Sequence, residues 1–433
     1  MEGHPEVHGE SRQPPEGVAE GVAGTAAGGV DRGRLRSTAA GVFALLSFAA
    51  TGLVAGPSAA ASAEGPCALP RTDVHHSLGL DTWNAAYPKP DRDLNAVMLF
   101  LSFPDAPPRT TPDQLVADHF PATGEFFRRA SYGRFTLRAD PLREWIRMPR
   151  PSTSYAIRRD WSSGRRAAYL RDALAVTDPR VDFSRYDIVY LVADPDAPGV
   201  DSDATKVVNL DRPLRADGTR INRLVTVFER HPPDRNVLAH ETGHVFDLPD
   251  LYRRPMDGKG DWDTHVGDWD VMGSQFALAP ELFGWHKWKL GWLDRRQVRC
   301  VDGTGDDRLT LEPLAAQPQP GTSPGTRLAV VRTGPRSALA IEAREATGND
   351  RDTCTEGVLV YRVRTDAVSG DGPVEVVDTH PVTSACPHRS VYPPLADAPL
   401  GVGETFTVPG ENVRVEVADR SATGGWNVRV TVL

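Results

Sequence analysis

Cysteine is scarce in this chain: four in 433 residues, at Cys67, Cys300, Cys354 and Cys386. None forms a C-x-x-C pair, which argues against a cysteine-held metal. Lysine is scarce as well. Most of the 49 basic residues are arginine, a bias that reads as codon usage, and the formal net charge is −9. A mildly acidic chain without a basic stripe gives no reason to expect a nucleic-acid partner. Long apolar runs are missing too. The one candidate, Ala39–Val54, falls short of the roughly 20 residues that a membrane-spanning helix needs. The acidic loop holding Asp194, Asp196, Asp201 and Asp203 lacks the glycine and the bidentate glutamate of an EF-hand. It therefore reads as solvated turns, with calcium as the weaker alternative. No internal repeat is evident.

The N-terminal region has the layout of an export signal. Residues 1–36 are polar and end in Arg32, Arg34 and Arg36. The alanine-rich run Ala39–Val54 follows, then Pro57 and the small residues Ala61-Ser62-Ala63. A positive flank, a short apolar core and an A-x-A site predict a secretory signal peptide over residues 1–63. An uncleaved anchor is the rival reading, and the long polar stretch suggests a true start further along. The expectation is a secreted, extracellular protein without a stable membrane anchor, most simply a monomer. In an oxidising compartment an even cysteine count reads as disulfides. Three pairings are open; the favoured one joins Cys354 to Cys386 within the C-terminal part and Cys67 to Cys300 across the chain.

The most informative stretch is His240-Glu241-Thr242-Gly243-His244, an H-E-x-x-H motif. Histidines four apart on a helix share one face, so both rings can reach one metal ion. Glu241 can then serve a metal-bound water as general base. Asp234 is a candidate cap for a helix starting near Arg235, and Val237, Leu238, Val245 and Phe246 give it an apolar face. Leu248 precedes Pro249, which disfavours helix there and predicts a turn near Asp247. That turn would swing Asp250 back as third ligand, giving the three-ligand, open-site arrangement of catalytic zinc. Asp247, one turn beyond His244, and the distant Glu281 are alternatives for that role. A rival use of Cys67 is a thiolate blocking the metal in a latent form.

His240 to Asp250 reads H-E-x-x-H-x-x-D-x-x-D, and Asp268-Trp269-Asp270-Val271-Met272-Gly273-Ser274 supplies a downstream methionine. This is similar to the metzincin-type pattern with its methionine turn. The flanks Leu248-Pro249-Asp250-Leu251-Tyr252, Trp269-Asp270-Val271-Met272 and Trp288-Lys289-Leu290-Gly291-Trp292 resemble the immune inhibitor A-like family of secreted bacterial zinc metallopeptidases. So do Ser131-Tyr132-Gly133-Arg134-Phe135 and Phe183-Ser184-Arg185-Tyr186-Asp187. The resemblance runs from about residue 95 to 293 and is weaker beyond. It implies that Met272 is a structural residue beneath the metal, not a ligand. One departure stands out: where the pattern has glycine, this chain has Asp247. Aspartate tolerates the left-handed backbone that such a turn needs.

The fold class expected is an α/β zincin-type (metzincin-like) metallopeptidase domain over residues 95–295, followed by an all-β sandwich-like domain over residues 296–433. An extended lead-in occupies residues 64–94, and whether it is a propeptide is open. Strands are expected at Asn95–Phe103, Phe135–Arg138, Trp145–Met148, Ile188–Val192 and Ile221–Phe228, the last as the edge strand beside the metal helix. Helices are expected from Thr111 through Phe126 and Phe127, over Ala167–Val176, and from Pro280 to near Gly291. Short β-rich runs separated by Gly and Pro turns fill the remainder. Five tryptophans between Trp262 and Trp292 read as core around a site, with a stacking surface as the alternative. His265, Tyr252 and His286 are candidates to steady an oxyanion, each otherwise an ordinary loop or core residue.

The function expected is a zinc-dependent endopeptidase in which His240, His244 and Asp250 hold one zinc ion and Glu241 is the general base. Its partners would be protein or peptide substrates. The rivals are a binding or adhesion protein on the same scaffold, and a zinc hydrolase of another amide such as peptidoglycan.

Overall fold

The computed structural model describes residues 65–433 except 302, 320 and 322. The expected signal peptide therefore lies outside the described residues. Among the described residues no helix is long and apolar enough to cross a membrane.

The first half contains β1 (Leu94–Ser102), α1 (Pro112–His119), α2 (Ala122–Ala130), β2 (Leu137–Arg147), α3 (Ser152–Tyr155), α4 (Ser163–Thr177), β3 (Ile188–Ala193), β4 (Lys206–Ala216), β5 (Thr219–Val227), α5 (Val237–Val245) and α6 (Gly284–Lys289). The five strands form one sheet in the order β2-β1-β3-β5-β4, parallel except for β4. β3 and the Ala96–Leu101 stretch of β1 are apolar throughout because both faces are covered. Ala96, Met98, Phe100, Tyr190, Val192 and Val225 face a core shared with Phe127 of α2 and Leu238 of α5. Val97, Leu99, Leu101, Val189 and Leu191 face Tyr169, Leu170 and Ala173 of α4.

Several boundaries differ from the sequence reading. The single helix expected from Thr111 is two, because Pro121 interrupts it; Phe126 and Phe127 belong to α2. The two strands expected between Phe135 and Met148 are one continuous strand, β2. The strand at Ile221 is interior. It pairs with β3 on one side and with β4, the true edge, on the other. An Asp217-Gly218 turn with φ of +48° and +72° joins β4 to β5, the positive-φ pair that a tight hairpin uses. Within β4 the register shifts between Asn209 and Leu214, around Pro213. The final helix starts at Gly284 rather than at Pro280.

The second half contains β6 (Val298–Val301), β7 (Gly305–Leu311), β8 (Leu328–Arg332), β9 (Ser337–Arg344), β10 (Gly357–Arg364), β11 (Val374–Val376), β12 (Thr405–Val408), β13 (Val413–Arg420) and β14 (Trp426–Val432). They form a five-stranded sheet, β11-β10-β9-β8-β6, and a four-stranded sheet, β12-β13-β14-β7. Val331, Ile341, Val358 and Val360 of the first meet Val415, Trp426, Val428 and Val430 of the second in one apolar layer. The opposite face of the five-stranded sheet (Leu328, Val330, Ala340, Leu359, Tyr361) joins the apolar cluster that contains Met272 and Trp285. Trp269, Trp285, Trp288 and Trp292 are all buried, so the tryptophan group is mainly core. Both disulfides are present, Cys67–Cys300 and Cys354–Cys386. Cys67 is thereby removed from any role as a metal-blocking thiolate.

Candidate metal centre

Helix α5 begins at Val237 with Asn236 as an N-cap in the left-handed region, making no side-chain cap bond. Asp234 does not cap it; its carboxylate accepts from Gln275 Nε2 instead, at 2.8 Å. All nine residues of α5 are buried, so the motif is carried on a helix fixed from every side.

The helix ends in a Schellman turn. The N–H of Leu248 donates to Gly243 O at 3.1 Å, and that of Asp247 to His244 O at 3.2 Å. Asp247 takes φ of +62°, the conformation for which the pattern's glycine is suited. The chain then returns, and Asp250 Oδ1 lies 2.9 Å from His244 Nε2 and 3.4 Å from His240 Nε2. Among the described residues, His240, His244 and Asp250 form the one group of three or more metal-ligating side chains within reach of a single ion. Asp247 and Glu281 are elsewhere engaged. Asp247 faces Arg71, His76 and Lys289, and Glu281 lies 3.4 Å from Lys287 in a fully buried pair.

The outer ring nitrogens decide whether this group suits a cation. His240 Nδ1 lies 2.8 Å from Val271 O, and His244 Nδ1 2.8 Å from Leu248 O. A carbonyl can only accept, so each Nδ1 donates, and each Nε2 is left as the ring atom that a cation can take. Both Nε2 atoms converge on the Asp250 carboxylate. Burial works against a charged His244, but Asp250 outweighs it and pushes the ring up to about 9; a divalent cation competes with that proton. Two imidazoles and a carboxylate with a fourth position open are the donor set of catalytic zinc. The residues therefore fit the ion that the sequence pattern implies.

Asp250 is braced from outside. Its Oδ2 accepts from Arg254 Nη2 at 2.7 Å, and its backbone N–H donates to Ser369 Oγ at 3.1 Å. Arg254 Nη2 also donates to the Tyr252 hydroxyl, and the Arg254 N–H to Gly370 O. Ser369 and Gly370 belong to the connection between β10 and β11, so the β-rich half contributes to the ligand's support. Tyr252 lies with its ring nearly parallel to His240, centroids 6.4 Å apart. Burial pushes its hydroxyl well above the ordinary tyrosine range.

Glu241 Oε2 accepts the backbone N–H of Val207 on the edge strand β4 at 2.6 Å. One carboxylate oxygen is thus pinned at the rim of the sheet. Beneath the helix, Met272 is fully buried, and a Cβ on Gly243 would lie 2.3 Å from its sulfur. Asp270 shapes this methionine turn. Its Oδ1 accepts from Met272 N and its Oδ2 from Phe283 N, with His286 Nδ1 at 2.9 Å. His286 is consequently a fully buried partner of Asp270, not an oxyanion candidate. His265 lies 4.0 Å from Glu375 and is outside the metal group. In the acidic loop, Asp194 and Asp201 accept N–H bonds from their own turns, and no three of its carboxylates converge.

Sequence reading missed Gly243, Arg254, Ser369 and Val207. It also missed His76, whose ring faces His244 at 5.7 Å between centroids. Burial pushes His76 down to about 3. Only Gly243 left a local trace, as a helix-breaking residue inside an otherwise helical motif. No family model matches this chain, and no curated protein matches it significantly.

Proposed function

We propose that this protein is a secreted zinc-dependent endopeptidase with a zincin-type catalytic part, similar to the immune inhibitor A-like metallopeptidases. The observation that carries the reading is the pair of Nδ1–carbonyl contacts, which turn both Nε2 atoms toward one Asp250 oxygen within the H-E-x-x-H helix and its return. His240, His244 and Asp250 hold the ion. Zinc, when bound, polarises the scissile carbonyl and acidifies a water molecule.

The chain's own residues do the remainder. The Val207 N–H fixes one oxygen of Glu241, leaving the other to take a proton from the attacking water and pass it to the leaving amine. Arg254 holds Asp250 Oδ2, so Oδ1 stays turned toward the histidines. Water is the nucleophile, so no acyl-enzyme forms. β4 is the edge strand beside the general base, and an extended peptide can pair with the part of that edge not taken by the Val207–Glu241 bond. Two disulfides agree with an oxidising compartment.

The test is hydrolysis of unfolded casein by the purified protein and its Glu241→Gln variant, each with bound zinc quantified. The expected result is about one zinc in both, and a loss of activity in the variant on the order of 100-fold or more. Substantial activity in Glu241→Gln would refute the mechanism. Zinc in the wild type without any hydrolysis would refute the peptidase assignment.

A further inference from the structure

Asp247 stands where the metzincin-type pattern has glycine. Its backbone behaves as that glycine would, closing α5 and delivering the Leu248 carbonyl that accepts His244 Nδ1–H. Its carboxylate makes contacts that a glycine cannot. In a buried pocket it meets Arg71 Nη1 at 2.7 Å, His76 Nδ1 at 3.0 Å and Lys289 Nζ at 3.1 Å. Two of those three partners come from the N-terminal lead-in.

The lead-in is fastened at further points. Cys67 is bonded to Cys300. Ser77 Oγ donates to Thr365 O, Trp285 Nε1 donates to Leu78 O, and Lys289 Nζ donates to Ser77 O. Leu69 and Leu78 are fully buried in the main apolar cluster. A segment that enforced latency by plugging the site would place a ligand on the metal. No residue of this segment joins the metal group among the described residues. The nitrogens of His76 face Asp247 and Asn209, and its ring lies 5.7 Å from that of His244 between centroids, with the planes 25° apart.

We propose that Asp247 is a positioning residue for the metal centre, and that residues 65–80, latched to it, are a permanent wall of the mature enzyme and not a removable prosegment. The latch acts through one short path. The carboxylate is held by the lead-in and by Lys289, the turn at Asp247 is held by the carboxylate, and Leu248 O holds the ring that supplies one metal ligand. The proposal rests on the metal-centre reading above, but not on the substrate.

The full chain is expressed with export, and the secreted species is characterised by N-terminal sequencing and by zinc affinity from chelator competition. The active species is expected to retain Cys67 and the segment up to Leu80. Asp247→Gly keeps a residue suited to positive φ and removes only the latch. It is expected to weaken zinc binding by roughly 10- to 100-fold, the usual effect of losing an outer partner of a ligand, and to open the Arg71 region to trypsin. Should that variant fail to fold, Arg71→Met combined with His76→Phe releases the two lead-in contacts while leaving Lys289 on Asp247, and carries the same expectation. Zinc affinity within twofold of wild type in a folded variant, or an active species beginning after Leu80, would overturn the proposal. Chelator competition needs no substrate. Failure of the peptidase reading would appear as zinc without hydrolysis, and failure of this one as unchanged affinity.

Discussion

At the scale of single residues, Gly243 shows how the site constrains what the motif leaves free. Glycine inside a helix ordinarily costs about 1 kcal/mol relative to alanine, so Gly243→Ala would stabilise an exposed helix. Here the added methyl would lie 2.3 Å from Met272 Sδ. We expect Gly243→Ala to destabilise the fold by about 1–3 kcal/mol, the range for overpacking a filled core, with the urea midpoint as the measurement. An unchanged or higher midpoint would mean that Met272 yields easily. The two histidines, Glu241 and Asp250 could be read from the sequence because their chemistry lies within eleven consecutive residues. Arg71, His76 and Lys289 could not, because their meeting with Asp247 depends on tertiary packing across as many as 176 residues.

Among the elements, the β4–β5 hairpin explains where pattern reading stopped. Asp211-Arg212-Pro213-Leu214-Arg215 has neither the alternation nor the composition of a strand, yet it completes the edge of the first sheet. Edge strands tolerate charge and proline because one side needs no partner. The Asp217-Gly218 dipeptide was the available signal for the hairpin. The buried strands β1 and β3 were legible because coverage on both faces leaves an uninterrupted apolar run. The β10–β11 connection was legible only as a Gly-containing turn, not as a support for Asp250. Its effect is testable at Arg254, which links the connection to the ligand. Arg254→Met should weaken zinc binding by roughly 10- to 100-fold and leave the melting temperature of the metal-free protein nearly unchanged. Equal affinities by chelator competition would show that Asp250 needs no brace.

On the scale of the whole molecule, the boundary expected at residue 296 separates two kinds of secondary structure, but the apolar core continues across it. Arg344 of β9 reinforces the join. It is fully buried, lies 2.7 Å from Asp350 and 3.1 Å from Glu342, and donates to Trp269 O, Ala279 O and Glu281 O. Removing it strands two buried carboxylates. Arg344→Met should cost about 3–5 kcal/mol, and both halves should still unfold in one calorimetric transition. Two separated transitions in the wild type would show that the shared core does not couple them.

The edge strand carries a further consequence, for crowding. An exposed strand is a template on which a neighbouring copy can add its own strand and begin an aggregate. In β4 that hazard is limited to its first residues. Only Lys206–Asn209 run in regular register before the shift, a stretch of about 13 Å at 3.3 Å per residue. Beyond it, Pro213 offers no N–H, and the exposed Arg212 and Arg215 repel an identical edge. Within the regular stretch the Val207 N–H is already taken by Glu241, so the edge is too short and too irregular to be extended by its own kind.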